Sequence, residues 1–127
     1  MQTSLVTPYI FAALVVIICA NAGLAEALGA HPFWAVRVAW VGVPIGLILA
    51  IATKRVGLAW VMRILGFLIC LAGAYAVASF GKERFAASFA EDTLAGRMWY
   101  FGWIAVTGFA AALVAAVFSP TPTQSSG

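Results

Sequence analysis

The sequence predicts an all-α integral membrane protein whose four transmembrane helices form two antiparallel hairpins. The first observation behind this prediction is composition: 65% of the 127 residues are hydrophobic and 9% are charged, whereas about a quarter of the residues in a soluble domain are charged. The second is arrangement, because the apolar residues are gathered into four long runs. Each run reaches the roughly 20 residues that a helix needs to cross a hydrocarbon core of about 30 Å.

The four runs cover residues 5–28, 33–52, 56–80 and 98–118, and they define a single four-helix domain over residues 1–118. Each is expected to be helical, because lipid offers no hydrogen-bond partner to the peptide backbone. The longest polar stretch is the third connection, 81–97, where Phe85 and Phe89 stand four residues apart. This spacing predicts a short amphipathic helix on the membrane surface.

The tail, 119–127, is rich in Pro, Ser and Thr and is predicted to be disordered.

Two opposite charges flank the first connection. Glu26 and Arg37 lie on either side of the pair His31-Pro32, with nothing charged between them. In a tight hairpin centred on that pair, both side chains lie at the same depth, about 7 Å inside the turn. An unpaired charge within a membrane span costs roughly 2.5–3.5 kcal/mol, so an interhelical ion pair is the favoured interpretation. The alternative makes Glu26 a proton or cation site, although its position near the membrane edge argues against this.

The distribution of basic residues bears on orientation. Three of the seven basic residues fall at the end of the bundle that carries both termini, and four at the other end: Lys54, Arg55 and Arg63 against Arg37, Lys82, Arg84 and Arg97. The bias is small, but the very short second connection concentrates a basic pair. We therefore expect a multi-pass protein of the bacterial cytoplasmic (inner) membrane with both termini in the cytoplasm.

Aromatic residues gather near the first and third connections: Trp34, Trp99, Tyr100 and Trp103. Tryptophan and tyrosine at this depth typically anchor a helix at the membrane interface. Interfacial anchoring is therefore the first interpretation of this set, and the lining of a ligand pocket is the alternative.

Small residues point to close helix packing. Gly42 and Gly46 form a GxxxG pattern in the second run, and such patterns let helix backbones approach each other in lipid. The packing can be internal to the bundle or lateral, against another subunit. Asn21 in the first run needs a hydrogen-bond partner, which a neighbouring helix is expected to supply.

Residues that carry chemistry are scarce. The single histidine, His31, lies in a turn, and the two cysteines, Cys19 and Cys70, are far apart and belong to no metal-ligand spacing. The sequence contains neither a phosphate-binding glycine loop nor a nucleophile–base–acid set. We therefore expect no catalytic residues, no bound metal and no cofactor, and the basic residues are better explained by lipid headgroups than by nucleic acid.

Two functions are compatible with these features. The first is a non-catalytic accessory, structural or assembly subunit of a larger inner-membrane complex, with other membrane subunits or further copies of itself as partners. The alternative is a small homo-oligomeric transporter or channel that uses Glu26 and Asn21, with Arg63 on the same polar path.

Overall fold

The computed structural model describes residues 2–120, and this part of the chain is helical without any strand. Its helices are α1 (Gln2–Asn21), α2 (Leu24–Ala27), α3 (Ala35–Arg55), α4 (Trp60–Ala87) and α5 (Thr93–Val117). The prediction of an all-α protein is confirmed for these residues. Most of the tail that was predicted to be disordered, 121–127, lies outside the described residues, as does residue 1.

Three of the described helices are long and apolar enough to span a membrane, which makes this a multi-pass membrane protein. They are α3, α4 and α5, with 21, 28 and 25 residues. Even the shortest of them is about 30 Å long at 1.5 Å per residue, which matches the hydrocarbon core. In the first run, Val6–Asn21 is a shorter apolar helix, so the predicted count of four spans is not confirmed.

The first predicted run, 5–28, is not one continuous helix. Gly23 has a φ of 95°, a left-handed conformation that glycine adopts readily and that ends a helix. The chain then forms the four-residue helix α2 before the second left-handed glycine, Gly29. Leu24 to Leu28 therefore belong to the connection, not to the first membrane helix.

The third connection is also shorter than predicted. The helix α4 continues to Ala87 and α5 begins at Thr93, so most of 81–97 is helical. Phe85 lies within α4, and Phe89 is in the loop with a φ of 57° and 91% of its surface exposed. The predicted amphipathic surface helix is therefore wrong, because the preceding helix continues without a break to Ala87 and includes Phe85.

The fifth helix is the centre of the bundle, since α1, α3 and α4 all pack against it. Gly42 and Gly46 of α3 face it, and a Cβ atom at Gly46 would overlap the carbonyl group of Gly108. The hydroxyl group of Thr107 donates a hydrogen bond to the carbonyl oxygen of Val38 at 2.9 Å. The predicted GxxxG contact is thus an internal contact between α3 and α5.

The fourth helix lies at the edge of the bundle. It contacts α5 along much of its length and α3 only slightly, and among the described residues it does not reach α1. The two helices approach closely at Gly81, where a Cβ atom would lie 2.6 Å from the carbonyl oxygen of Ala95, and at Gly102, where it would lie 2.8 Å from the Cβ atom of Ala78. One side of α4 therefore packs against α5, and the rest of its surface makes few contacts with other helices.

Replacing Gly46 by alanine should destabilise the protein, because the new methyl group has no space beside Gly108. Overpacking of this kind typically costs about 1–3 kcal/mol. Gly66→Ala on α4 is the matched control: a Cβ atom there meets nothing within 4 Å, and alanine favours the helix. Thermal unfolding in detergent, followed by circular dichroism, should give a lower Tm for Gly46→Ala only. Equal shifts for the two variants would contradict the packing described here.

Candidate functional site

An aromatic cluster lies at the end of the bundle formed by the first and third connections. The ring of Trp34 is 5.2 Å from that of Trp99 and 5.2 Å from that of Tyr100, edge to face in both cases. The indole Nε1 of Trp99 donates a hydrogen bond to the carbonyl oxygen of Gly29 at 2.9 Å. The structure thus brings together three of the four aromatic residues that the sequence singled out.

The fourth of these residues, Trp103, belongs to the interior of the bundle. It is one helical turn further along α5, is 2% exposed, and packs 5.9 Å from the ring of Tyr75. The hydroxyl group of Tyr75 in turn donates a hydrogen bond to the carbonyl oxygen of Leu28 at 2.7 Å. Trp103 is therefore a core residue, and it does not line the cavity beside the other three.

That cavity has a volume of about 470 Å³ and is lined by the three clustered aromatic residues together with His31, Phe85 and Arg97, among others. The imidazole ring of His31 stacks near Trp34 and lies edge-on to Trp99, and its Nδ1 accepts a hydrogen bond from the backbone N–H of Phe33 at 3.0 Å. The arginine suits an anionic group, and the aromatic walls suit a planar or apolar one. No group of metal-ligating side chains occurs in the described part of the chain.

Glu26 and Arg37 are not brought together as an ion pair. Both side chains are exposed, and the guanidinium group of Arg37 lies over the ring of Phe33, 5.7 Å from its centroid. The predicted pairing assumed two continuous helices meeting in a tight turn. Instead, Gly23 breaks the first helix and α3 begins only at Ala35, so the two positions are not at matching depth in one hairpin.

Asn21 finds its hydrogen-bond partner within its own helix. Its side-chain Nδ2 donates to the carbonyl oxygen of Ile17 at 2.9 Å, and the side chain is exposed. The expected partner on a neighbouring helix is therefore wrong, because an amide near a helix end can satisfy itself on the carbonyl one turn earlier.

Arg63 stabilises the C-terminal end of α5. It is 2% exposed, its Nη2 donates to the carbonyl oxygen of Ser119 at 2.9 Å, and its Nε donates to that of Leu58 at 3.2 Å. Beside it, the indole Nε1 of Trp60 donates to the carbonyl oxygen of Ala116 at 2.8 Å. The last carbonyls of a helix have no partner within the helix and carry a partial negative charge, so a buried cation there is favourable.

Three side chains that the sequence analysis did not single out donate hydrogen bonds to the backbone of other described segments. They are those of Thr107, Tyr75 and Trp60. For Thr107 a signal exists, since a hydroxyl group in an otherwise apolar helix beside a glycine indicates a close interhelical contact. Tyr75 and Trp60 carry no such signal, because their partners are 47 and 56 residues away in the chain.

Replacing Arg63 by glutamine should lower the stability of the bundle, because the carbonyl groups of Ser119 and Leu58 lose their charged donor. Leaving buried acceptors without a partner costs about 1–3 kcal/mol. Arg55→Gln is the control, since it removes the same charge from an exposed position at the same end. Thermal unfolding in detergent should separate the two variants, and an Arg63→Gln protein as stable as Arg55→Gln would refute the capping role.

Glu26→Gln and Arg37→Gln should each change the stability by less than about 1 kcal/mol, because both side chains are exposed and unpaired with each other. The double variant should show the sum of the single effects. A coupling energy above about 0.5 kcal/mol in this double-mutant cycle would reveal an ion pair in the membrane and contradict the structure.

Comparison of the chain with models of protein families, with curated proteins and with solved structures gave no match. The roles of the side chains are therefore inferred from their contacts and their chemistry.

Proposed function

We propose that this protein is a non-catalytic accessory, structural or assembly subunit of a larger inner-membrane complex of the respiratory, photosynthetic or transport kind. The observation that carries the proposal is the uneven burial of the three long helices. In its most apolar 18-residue stretch, α4 has 17% of its residues buried, compared with 39% in α3 and 50% in α5. Most of α4 is thus available for contacts outside the chain.

The side of α4 opposite α5 is suited to receive another helix. We call it the open face and define it by Leu65, Ile69, Ala72 and Ala76, all of which are exposed. The spacing of these residues places them on one stripe of the helix. Two alanines in that stripe would let a partner helix approach closely, and close van der Waals contact is the main source of helix association in lipid.

The hydrogen bonds of three polar side chains support a structural role. The guanidinium group of Arg63 binds the end of α5, the amide of Asn21 binds its own helix, and the hydroxyl group of Thr107 bridges α5 to α3. Each of these groups is therefore used in holding the fold together.

A small transporter or channel remains the second candidate, with Glu26 and Asn21 as its polar residues. The two lie near each other in sequence on either side of Gly23, whereas Arg63 lies at the opposite end of the bundle beside Ser119. A path that uses all three would have to cross the apolar interior, which is lined by residues such as Val38 and Ala112.

We further propose four membrane spans with both termini in the cytoplasm of a bacterium. The helix α1, Gln2–Asn21, has 20 residues and is about 30 Å long, which supports its role as a span. The hydrogen bond from Trp99 to Gly29 supports a shared end for the first and third connections, and that from Arg63 to Ser119 supports the opposite end for the second connection and the end of α5. Lys54, Arg55 and Arg63 at the latter end favour a cytoplasmic location.

The accessory role is tested by extracting the native, tagged protein in a mild detergent, separating the complexes on a native gel and identifying the proteins that migrate with it by mass spectrometry. The wild-type protein should migrate with a much larger assembly, and Ala76→Phe on the open face should release it. Ala52→Phe, at an exposed position of α3, is the control and should stay bound. Equal Tm values for the variants would show that folding is unaffected.

A wild-type particle of only one or two copies of this chain would contradict the accessory role. The transporter would then be tested by flux measurements on Glu26→Gln in vesicles, where the loss of flux in a folded protein identifies a transport carboxylate.

A further inference from the structure

A second feature of α4 is a groove between it and α5 that faces the lipid. The groove has a volume of about 540 Å³, and it borders the open face without including it. Its floor is formed by small residues: a Cβ atom built at Gly73 meets nothing within 4 Å. Phe101 and Phe109 of α5 flank it. A groove between two packed helices, with glycine and alanine at its base, needs an apolar occupant, because lipid or protein must fill it in the membrane.

The groove has the length of an acyl chain. Its lining runs along α5 from Arg97 to Phe109, which at 1.5 Å per residue is about 18 Å along the helix axis. One leaflet occupies half of the hydrocarbon core, or about 15 Å. The groove therefore extends from the membrane interface to about the middle of the bilayer, as a single lipid tail does.

One end of the groove carries a positive charge. Of the described residues that line it, Arg97 alone is charged, and it also borders the aromatic cavity of Trp34, Trp99 and Tyr100. This position is the interfacial depth at which tryptophan and tyrosine meet the headgroups. The guanidinium group of Arg97 forms neither an ion pair nor a hydrogen bond with the part of the chain that the structure describes. An arginine in this setting has the geometry to bind a phosphate through two parallel hydrogen bonds.

We infer that the groove is a binding site for one anionic phospholipid, with an acyl chain along the floor of small residues and the phosphate group bound by Arg97. The match in length and the charge at the interfacial end favour a lipid over a partner helix, which would not need a cation at one end of the contact. The inference does not depend on the accessory role, because it concerns the isolated protein and a different side of α4.

The test uses the purified wild-type protein in mild detergent, with dioleoylphosphatidylglycerol, dioleoylphosphatidylcholine or glycerol 3-phosphate added, and counts bound molecules by native mass spectrometry. The wild-type protein should retain one phosphatidylglycerol in preference to phosphatidylcholine. Arg97→Gln should weaken phosphatidylglycerol binding about fivefold, the worth of one basic residue at an anionic surface. Gly73→Leu should abolish the binding of both lipids, because the side chain fills the groove.

Each variant has a matched control. Gly66→Leu places the same side chain at another exposed glycine of α4 that does not line the groove. Arg84→Gln removes a charge at the same end of the bundle, where the guanidinium group lies over the ring of Phe80. Both controls should bind lipid as the wild-type protein does.

Several outcomes would overturn the inference. An equal loss of lipid binding in Arg84→Gln and Arg97→Gln would indicate diffuse surface charge. Unaltered lipid binding in Gly73→Leu would show that the groove is not the site. Binding of glycerol 3-phosphate as tight as that of the lipid would indicate a headgroup site without an acyl chain. A polypeptide that occupies the groove in the purified protein, shown by its crosslinking to Cys70, would also refute the lipid.

Discussion

The fold depends on the direct contact between the backbones of α3 and α5. Lipid tails are as apolar as leucine side chains, so the hydrophobic effect does not drive helices together inside a membrane, and close packing must do so. Gly42 and Gly46 provide this packing, because a side chain at either position would collide with α5. Thr107 adds a hydrogen bond to Val38 at the same crossing. With this pair fixed, α1 packs against both α3 and α5, and α4 joins the bundle mainly through α5.

The positions of the polar side chains follow from the lipid environment as well. A helix that ends within or near a membrane leaves carbonyl groups without donors, and an unsatisfied group there is costly. From the start of α4, Trp60 donates to Ala116 in the last turn of α5, and Arg63 donates to Ser119 just beyond that helix. At the opposite end, Trp99 and Tyr75 donate to carbonyl groups of the first connection. The side chains that the sequence suggests as functional because they are polar are thus largely explained by the satisfaction of backbone groups.

The helices whose length and composition leave little choice of conformation are predicted from the sequence. The breaks in the helices and the partners of the polar side chains are not, because these depend on tertiary contacts. The runs that became α3, α4 and α5 are apolar over enough residues to leave little choice of conformation. The left-handed conformation of Gly23 could not be predicted from the sequence, because glycine is also common within continuous membrane helices. The pairing of Glu26 with Arg37 rested on that helix being continuous, so one undetected break removed the predicted site. The clustering of Trp34 with Trp99 and Tyr100 was predictable because all three lie near the same end of the predicted spans.

The arrangement of α4 at the edge of the bundle gives it two outward sides with different chemistry. The open face, with Ala72 and Ala76, offers close approach to another helix, whereas the groove beside it, floored by Gly73, offers a channel that ends at Arg97. Successive residues on a helix are about 100° apart, so Ala72 and Gly73 point to adjacent sides and the two surfaces share an edge. A helix docked on the open face would therefore lie alongside a lipid in the groove without displacing it. On this geometry, a lipid held by Arg97 would contact both this chain and a helix docked on the open face, and its tail would pack against the two.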